Sequence, residues 1–192
     1  IIDTKGLNFI SISGSTGTNV LTNTSIVNQY MILNTDSVPV HETPASGGRV
    51  VATLPKGSVV HFSQKGNNSV GNLWYQLGTG KGRYDDVSGY IYGNYVSTMP
   101  TSGAYKIQAD MQQNVVLRSS PSTTATALTS LGPNAEFTVS SVSGEWANAT
   151  YNGKTGWLHI GYARYIGSIS HTHTYGSWTT TKAATCTATG TE

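Results

Sequence analysis

Few side chains in this sequence have the types and spacings that catalysis requires. Cys186, the single cysteine, would need a neighbouring base and an environment that favours the thiolate, and no helix signal lies nearby. Asp85 and Asp86 are adjacent in a predicted loop, where neighbouring carboxylates are mostly solvated. We therefore predict no catalytic residues, and we expect that the chain is not itself an enzyme.

A pair of histidines near the end of the chain has the spacing of metal ligands. His171 and His173 would share one face of a strand and could chelate Zn²⁺, but a site needs a third and a fourth ligand. His159 is the only neighbouring histidine in the sequence, and nothing in the pattern sets its distance from the pair. We therefore predict no metal site and no cofactor.

The aromatic residues give a stronger signal for binding. The chain has 11 Tyr and 4 Trp but only 3 Phe. Rings with a polar edge are favoured where one side of the ring stays in contact with water. An exposed Trp beside a Tyr forms a flat apolar platform with hydrogen-bonding edges, which suits sugars and extended peptides.

The composition excludes two classes of partner. Only 10% of the 192 residues are charged, against about a quarter in an average soluble domain. The net charge of +2 rests on only 11 basic residues, so we predict no nucleic-acid partner. No apolar run approaches the roughly 18 residues of a membrane span, so we also predict no membrane partner. Abundant Thr, Val, Tyr and Ile favour strands over helices.

An internal repeat organises the chain. His41-Glu-Thr-Pro44 aligns with Arg118-Ser-Ser-Pro121 at an offset of 77 residues, without a gap from about Pro39 to Phe62. If the first copy carries insertions in 66–72 and 78–87, Trp74 aligns with Trp146. The repeat therefore consists of two units, each with its own tryptophan.

The repeat boundaries predict the domain organisation. The two units span 28–98 and 104–167, joined by a short segment rich in Pro, Gly and Ser. Residues 1–27 are predicted to be an N-terminal arm or the end of an upstream domain. Residues 168–192 are predicted to be a low-complexity tail or a truncated repeat. Because the chain starts at Ile1, we interpret it as a processed chain or a fragment.

Turn and alternation signals predict an all-β fold. Asn152-Gly153 lies between two β-rich runs, which indicates a type I′ hairpin. Before it, Ala147 and Ala149 share one face of a strand with Tyr151, and Trp146 occupies the opposite face. The same register turns Trp74 outward, with Tyr75 and Leu77 inside. About five short strands in each unit predict a small antiparallel barrel.

These motifs resemble a known family. Val116-Leu-Arg-Ser-Ser-Pro-Ser-Thr123, together with 144–158, is similar to the bacterial SH3-like (Src-homology-3-like) domain. The first unit departs from the pattern by carrying His41 in place of the arginine and by its two insertions. The resemblance implies two small antiparallel SH3-like barrels in tandem, followed by the Thr/Ser-rich C-terminal tail.

The resemblance also implies a groove on each barrel. The outward tryptophan and a tyrosine near the end of the last loop would line it, although the same rings could instead close a core that has little Phe. Arg118 could bind a carboxylate of a stem peptide or brace a turn. The predicted groove residues are Trp74, Tyr90, Tyr95, Arg118, Trp146, Trp157 and Tyr162.

Similar domains occur in bacterial cell-wall hydrolases and surface proteins. The resemblance therefore implies a monomeric, non-catalytic region, secreted or at the cell surface, that binds peptidoglycan through its glycan or its peptide. Two weak grooves on one chain would raise retention on a repetitive polymer. The catalytic domain of a parent hydrolase would lie outside this chain. The alternative is an interaction module for extended or Pro-rich peptides, but 38–52 and 115–127 contain a single acidic residue, Glu42.

Overall fold

The computed structural model of this chain describes residues 20–80 and 82–168. The strands of the first unit are β1 (Thr22–Leu33), β2 (Val38–His41), β3 (Val50–Leu54), β4 (Val59–Asn67), β5 (Leu73–Leu77), β6 (Tyr90–Tyr92) and β7 (Val96–Thr98). Those of the second unit are β8 (Gly103–Ile107), β9 (Val115–Arg118), β10 (Ala127–Leu131), β11 (Glu136–Ser143), β12 (Trp146–Tyr151), β13 (Lys154–His159) and β14 (Ala163–Gly167). A 3₁₀ turn precedes β7 at Gly93–Tyr95, and another precedes β14 at Ile160–Tyr162.

The two units form two sheets with the same topology. The first has the order β3-β2-β6-β5-β4-β1-β7, and the second has the order β10-β9-β13-β12-β11-β8-β14. This confirms the all-β class and the tandem SH3-like barrels. Each sheet has seven strands rather than about five, because the first strand of each unit also pairs with a short strand after the 3₁₀ turn. The predictions for Cys186, His171, His173 and the C-terminal tail concern positions outside the described residues.

The hairpin of the second unit confirms the local sequence signals. Asn152 and Gly153 have φ values of 48° and 75°, as a type I′ turn requires. Ala147 and Ala149 are buried in the core, and Tyr151 packs against the same core. Trp146 is half-buried on the opposite face of β12. The alternation therefore turns Trp146 away from the barrel interior.

The two barrels share apolar packing at their junction. Ile32, Val59 and Met99 of the first unit belong to the same buried cluster as the core of the second unit. Backbone contacts cross the junction as well, since Tyr165 N–H donates to the Gly57 carbonyl over 2.8 Å. The barrels are therefore docked against each other through an apolar cluster to which both contribute, while the main core of the first barrel is a separate cluster.

The second insertion of the first unit, 78–87, reaches the second barrel. The backbone N–H of Arg83 donates to the carbonyl of Gly161 over 3.0 Å. A Cβ added at Gly82 would lie only 3.0 Å from the same carbonyl oxygen, so the close approach favours glycine. On the first barrel the insertion is held by Tyr84, whose hydroxyl lies 3.2 Å from Ser58 Oγ. The insertion thus lies across the junction.

Gly57→Ala is expected to weaken this docking. Gly57 has φ +79°, and an added Cβ would overlap the carbonyl oxygen of Tyr165. Gly71→Ala is the matched control, because Gly71 has φ +84° but no atom within 4 Å of an added Cβ. The left-handed backbone alone costs an L-residue about 1–2 kcal/mol. Urea unfolding should therefore show a clearly larger loss of stability for Gly57→Ala than for Gly71→Ala, and equal losses would contradict a tight contact.

Candidate functional site

The second barrel carries an open cavity of about 490 Å³. Three of the predicted groove residues, Arg118, Trp146 and Tyr162, line it. His159 of the same barrel and Arg83 of the first unit also line the cavity. The rest of the lining comes largely from the loop 110–114, which supplies polar side chains and Met111.

Trp146 belongs to a cluster of aromatic rings in this cavity. Its partner across β12 and β13 is His159, and the two ring centroids are 5.9 Å apart in an edge-to-face arrangement. The His159 ring in turn lies 5.2 Å from that of Tyr162, in the 3₁₀ turn that follows β13. Burial raises the pKa of Tyr162 above its ordinary value of 10.0, so its phenol stays protonated at neutral pH. The cluster therefore offers ring surfaces together with a hydroxyl donor.

His159 lines the cavity but is not among the predicted groove residues. It is 6% exposed, and its Nδ1 accepts a hydrogen bond from Gly161 N–H over 3.3 Å. Its Nε2 lies 3.5 Å from both Glu145 Oε2 and Tyr30 Oη. These contacts fix the imidazole between the barrels. The repeat alignment contained a signal for this position, because His159 falls on Tyr92, another ring beside the repeat tryptophan.

Arg118 braces a loop, one of the two roles that the sequence left open, and it also borders the cavity. Its Nη1 donates to the carbonyl of Ala125 over 2.8 Å, which braces the loop after β9. The same half-buried side chain also lines the cavity. A guanidinium has five N–H donors, so one bond to the loop leaves others for a ligand.

Arg83 brings the first barrel into the cavity. Its Nη2 lies 2.7 Å from Asp110 Oδ2 in the second unit, and its Nη1 lies 4.0 Å from Asp86 Oδ1. The hydrogen bond that Arg83 donates to Asp110 raises the pKa of the guanidinium, which stays charged. The cavity is therefore bounded by side chains from both units.

Both units match the family model described as the bacterial SH3 domain, over residues 36–97 and 113–166. These segments together cover more than half of the chain. The chain belongs to the bacterial SH3 domain family.

A comparison with solved structures gave distant matches, among them the following three. The chain is 16% identical to NlpC2 of Trichomonas vaginalis, covering 74% of this chain and 49% of that one, with a TM-score of 0.30. It is 14% identical to NlpC1 of the same organism, covering 77% of this chain and 49% of that one, with a TM-score of 0.30. It is 17% identical to a protein described as an autolysin from Listeria monocytogenes, covering 76% of this chain and 65% of that one, with a TM-score of 0.33. This chain thus spans about half the length of the first two proteins.

A comparison with curated proteins gave no match. Among residues 20–80 and 82–168, no group of three or more His, Cys, Asp or Glu side chains is placed to hold a metal ion. No helix in that part of the SH3 chain has the length and apolar character needed to cross a membrane. Asp85 and Asp86 are both exposed, as predicted for a loop.

Trp74 in the first SH3 domain is buried, whereas the sequence predicted an exposed ring. The side chain lies on the face of β5 opposite Tyr75, as the alternation predicts, but it is only 2% exposed. The rings of His41 and Tyr92 enclose it at centroid distances of 5.4 and 5.6 Å. The expectation that Trp74 is an exposed platform is therefore wrong.

The first insertion, 66–72, ties the hairpin that carries this tryptophan to a neighbouring loop. Asn68 in that insertion is 8% exposed, and its Nδ2 donates to the carbonyl of Pro44 over 2.9 Å. Its Oδ1 accepts hydrogen bonds from the backbone N–H groups of Val70 and Asn72. Asn68 thus ties the β4–β5 hairpin to the loop after β2, and His41 fills the position that Arg118 occupies in the second SH3 domain.

The remaining predicted groove residues do not line the cavity. Tyr95 packs against the core of the first SH3 domain and contacts Tyr92 at 5.7 Å. Tyr90 and Trp157 are half-buried and lie opposite His41 and Arg118 in the strand pairing. The predicted residues that do not line the cavity are Trp74, Tyr90, Tyr95 and Trp157.

Proposed function

We propose that this chain is a non-catalytic cell-wall-binding region, secreted or at the cell surface, and that it binds peptidoglycan in the cavity of the second SH3 domain. The observation that carries the proposal is the open cavity in which Trp146, Tyr162 and Arg118 lie together. A half-buried tryptophan with a tyrosine and an arginine beside it can stack on a ligand and hydrogen-bond to its polar groups. Bacterial SH3 domains with this chemistry are suited to sugars and to extended peptides.

The proposal places one binding site on the chain rather than two. The corresponding position of the first SH3 domain is occupied by the enclosed Trp74, with His41 and Tyr92 against its ring. The first domain instead contributes to the cavity of the second through Arg83. Binding to soluble wall fragments should therefore saturate at one equivalent per chain.

The charge of the cavity argues against the alternative of Pro-rich peptides with a basic residue. Such a ligand would need an unpaired carboxylate in the groove. Asp110 is the acidic residue among the described residues that line the cavity, and its carboxylate is paired with Arg83. Arg118 has no carboxylate partner among the described residues, which favours a neutral or acidic ligand instead.

A sedimentation assay on purified, insoluble peptidoglycan tests the proposed function. The intact chain is expected to sediment with the wall, to be displaced by soluble wall fragments, and to resist displacement by a basic Pro-rich peptide. It should release no soluble fragments from a wall suspension, since the catalytic role is predicted to lie elsewhere. A chain that stays in the supernatant at every wall concentration would overturn the proposal.

A further inference from the structure

We propose that the cavity recognises a carboxylate-bearing segment of its ligand, held between Arg118 of the second SH3 domain and Arg83 of the first. The inference rests on the proposed function and names the ligand chemistry for the same site. In peptidoglycan the carboxylates belong to the stem peptides, whereas the N-acetylated glycan backbone is largely neutral. The proposed ligand class is therefore the stem peptide.

The first step is the charge of the cavity. Two guanidinium groups and one carboxylate line it within the described residues, and the carboxylate of Asp110 is 2.7 Å from Arg83. Glu145 contacts His159, with its Oε2 3.5 Å from the Nε2 of that ring, and lines a separate cleft. Arg118 has no carboxylate partner among the described residues, so its positive charge is the one that a ligand carboxylate can balance.

The second step is the donor capacity of Arg118. Among the described residues, Ala125 supplies the one acceptor for its guanidinium. None of the remaining Arg118 nitrogens is both enclosed and unpartnered. They are therefore accessible to solvent, and a planar guanidinium can bind a carboxylate through two parallel hydrogen bonds.

The third step is the position of Arg83. Asp110 holds it through Nη2, and the 4.0 Å contact of Nη1 with Asp86 is long for a hydrogen bond. Asp86 is 76% exposed, so a ligand carboxylate can replace this contact at little cost. The ion pair with Asp110 fixes the arginine across the domain junction. The carboxylate site is thus composite, and neither SH3 domain forms it alone.

The test compares native peptidoglycan with the same material after its carboxyl groups are converted to primary amides by carbodiimide and ammonium. The proteins are the intact chain, Arg83→Gln, Arg118→Gln and the control Arg49→Gln. Arg49 is exposed and lies outside the cavity, so its loss changes the net charge equally. Thermal unfolding of each variant is the control that tests whether its barrels remain folded. Because Arg118 also braces a loop, the Arg83 variant and the amidated wall provide tests that do not depend on it.

The intact chain and Arg49→Gln are expected to bind amidated wall about tenfold more weakly than native wall. Arg83→Gln and Arg118→Gln should lose a similar factor on native wall and then be insensitive to amidation. Equal binding of the intact chain to both materials would overturn the carboxylate inference and leave the proposed function standing with the glycan as ligand. An amidation effect that persists unchanged in both arginine variants would overturn the assignment to these residues. Absence of binding to native wall would overturn the proposed function itself.

Discussion

Trp74→Ala is expected to lower the free energy of unfolding by about 3–5 kcal/mol, the usual cost of truncating a large buried aromatic side chain. Trp74 is 2% exposed and has the rings of His41 and Tyr92 against it. Removing the indole leaves a cavity between these rings. Chemical denaturation of the intact chain and the variant measures the loss.

Trp74→Phe is the matched control for this prediction. The indole Nε1 is buried and has no hydrogen-bond partner within the described residues, so a phenyl ring removes an unsatisfied donor and keeps most of the packing. We expect Trp74→Phe to cost well under half as much as Trp74→Ala. At temperatures where both variants are folded, both should bind wall like the intact chain. Loss of wall binding by a folded Trp74→Ala would show that this residue contacts the ligand after all.

The sequence predicted the elements of each barrel well where the signal was local. The Asn152-Gly153 turn needs positive φ at both positions, and few other residue pairs adopt that backbone readily. The alternation in β12 placed Ala147 and Ala149 in the core because a strand has a period of two. These rules depend only on residues next to each other in the chain, so a single sequence contains them.

The sequence could not predict what covers a residue on the outer face of a strand. Alternation turned Trp74 and Trp146 to the same side of their strands, but only the three-dimensional structure shows that neighbouring rings enclose Trp74. The composite cavity was missed for the same reason. Arg83 and Asp110 are 27 positions apart, in different domains, and nothing local indicates that their side chains meet.

Departures from the repeat were the most informative signal that the sequence did contain. The first SH3 domain has His41 in place of arginine and carries both insertions. The ring of His41 packs against Trp74, and the first insertion is hydrogen-bonded to the loop after β2. The second insertion places Arg83 in the cavity lining of the second domain. The two copies therefore differ, and the open cavity lies in the copy that has the arginine and the shorter loops.

Trp146→Ala is expected to weaken binding to peptidoglycan by at least about 30-fold, the effect of removing an aromatic side chain at the centre of a binding site. The ring is half-buried, lies 5.9 Å from that of His159, and lines the cavity with Tyr162. Stability should fall much less than in Trp74→Ala, because the indole is outside the core cluster. Trp157→Ala is the matched control, since Trp157 is also half-buried but lies outside the cavity, and it should bind wall like the intact chain. Binding isotherms on native wall, measured well below the unfolding temperature of each variant, separate these effects, and equal binding by all three proteins would remove Trp146 from the site.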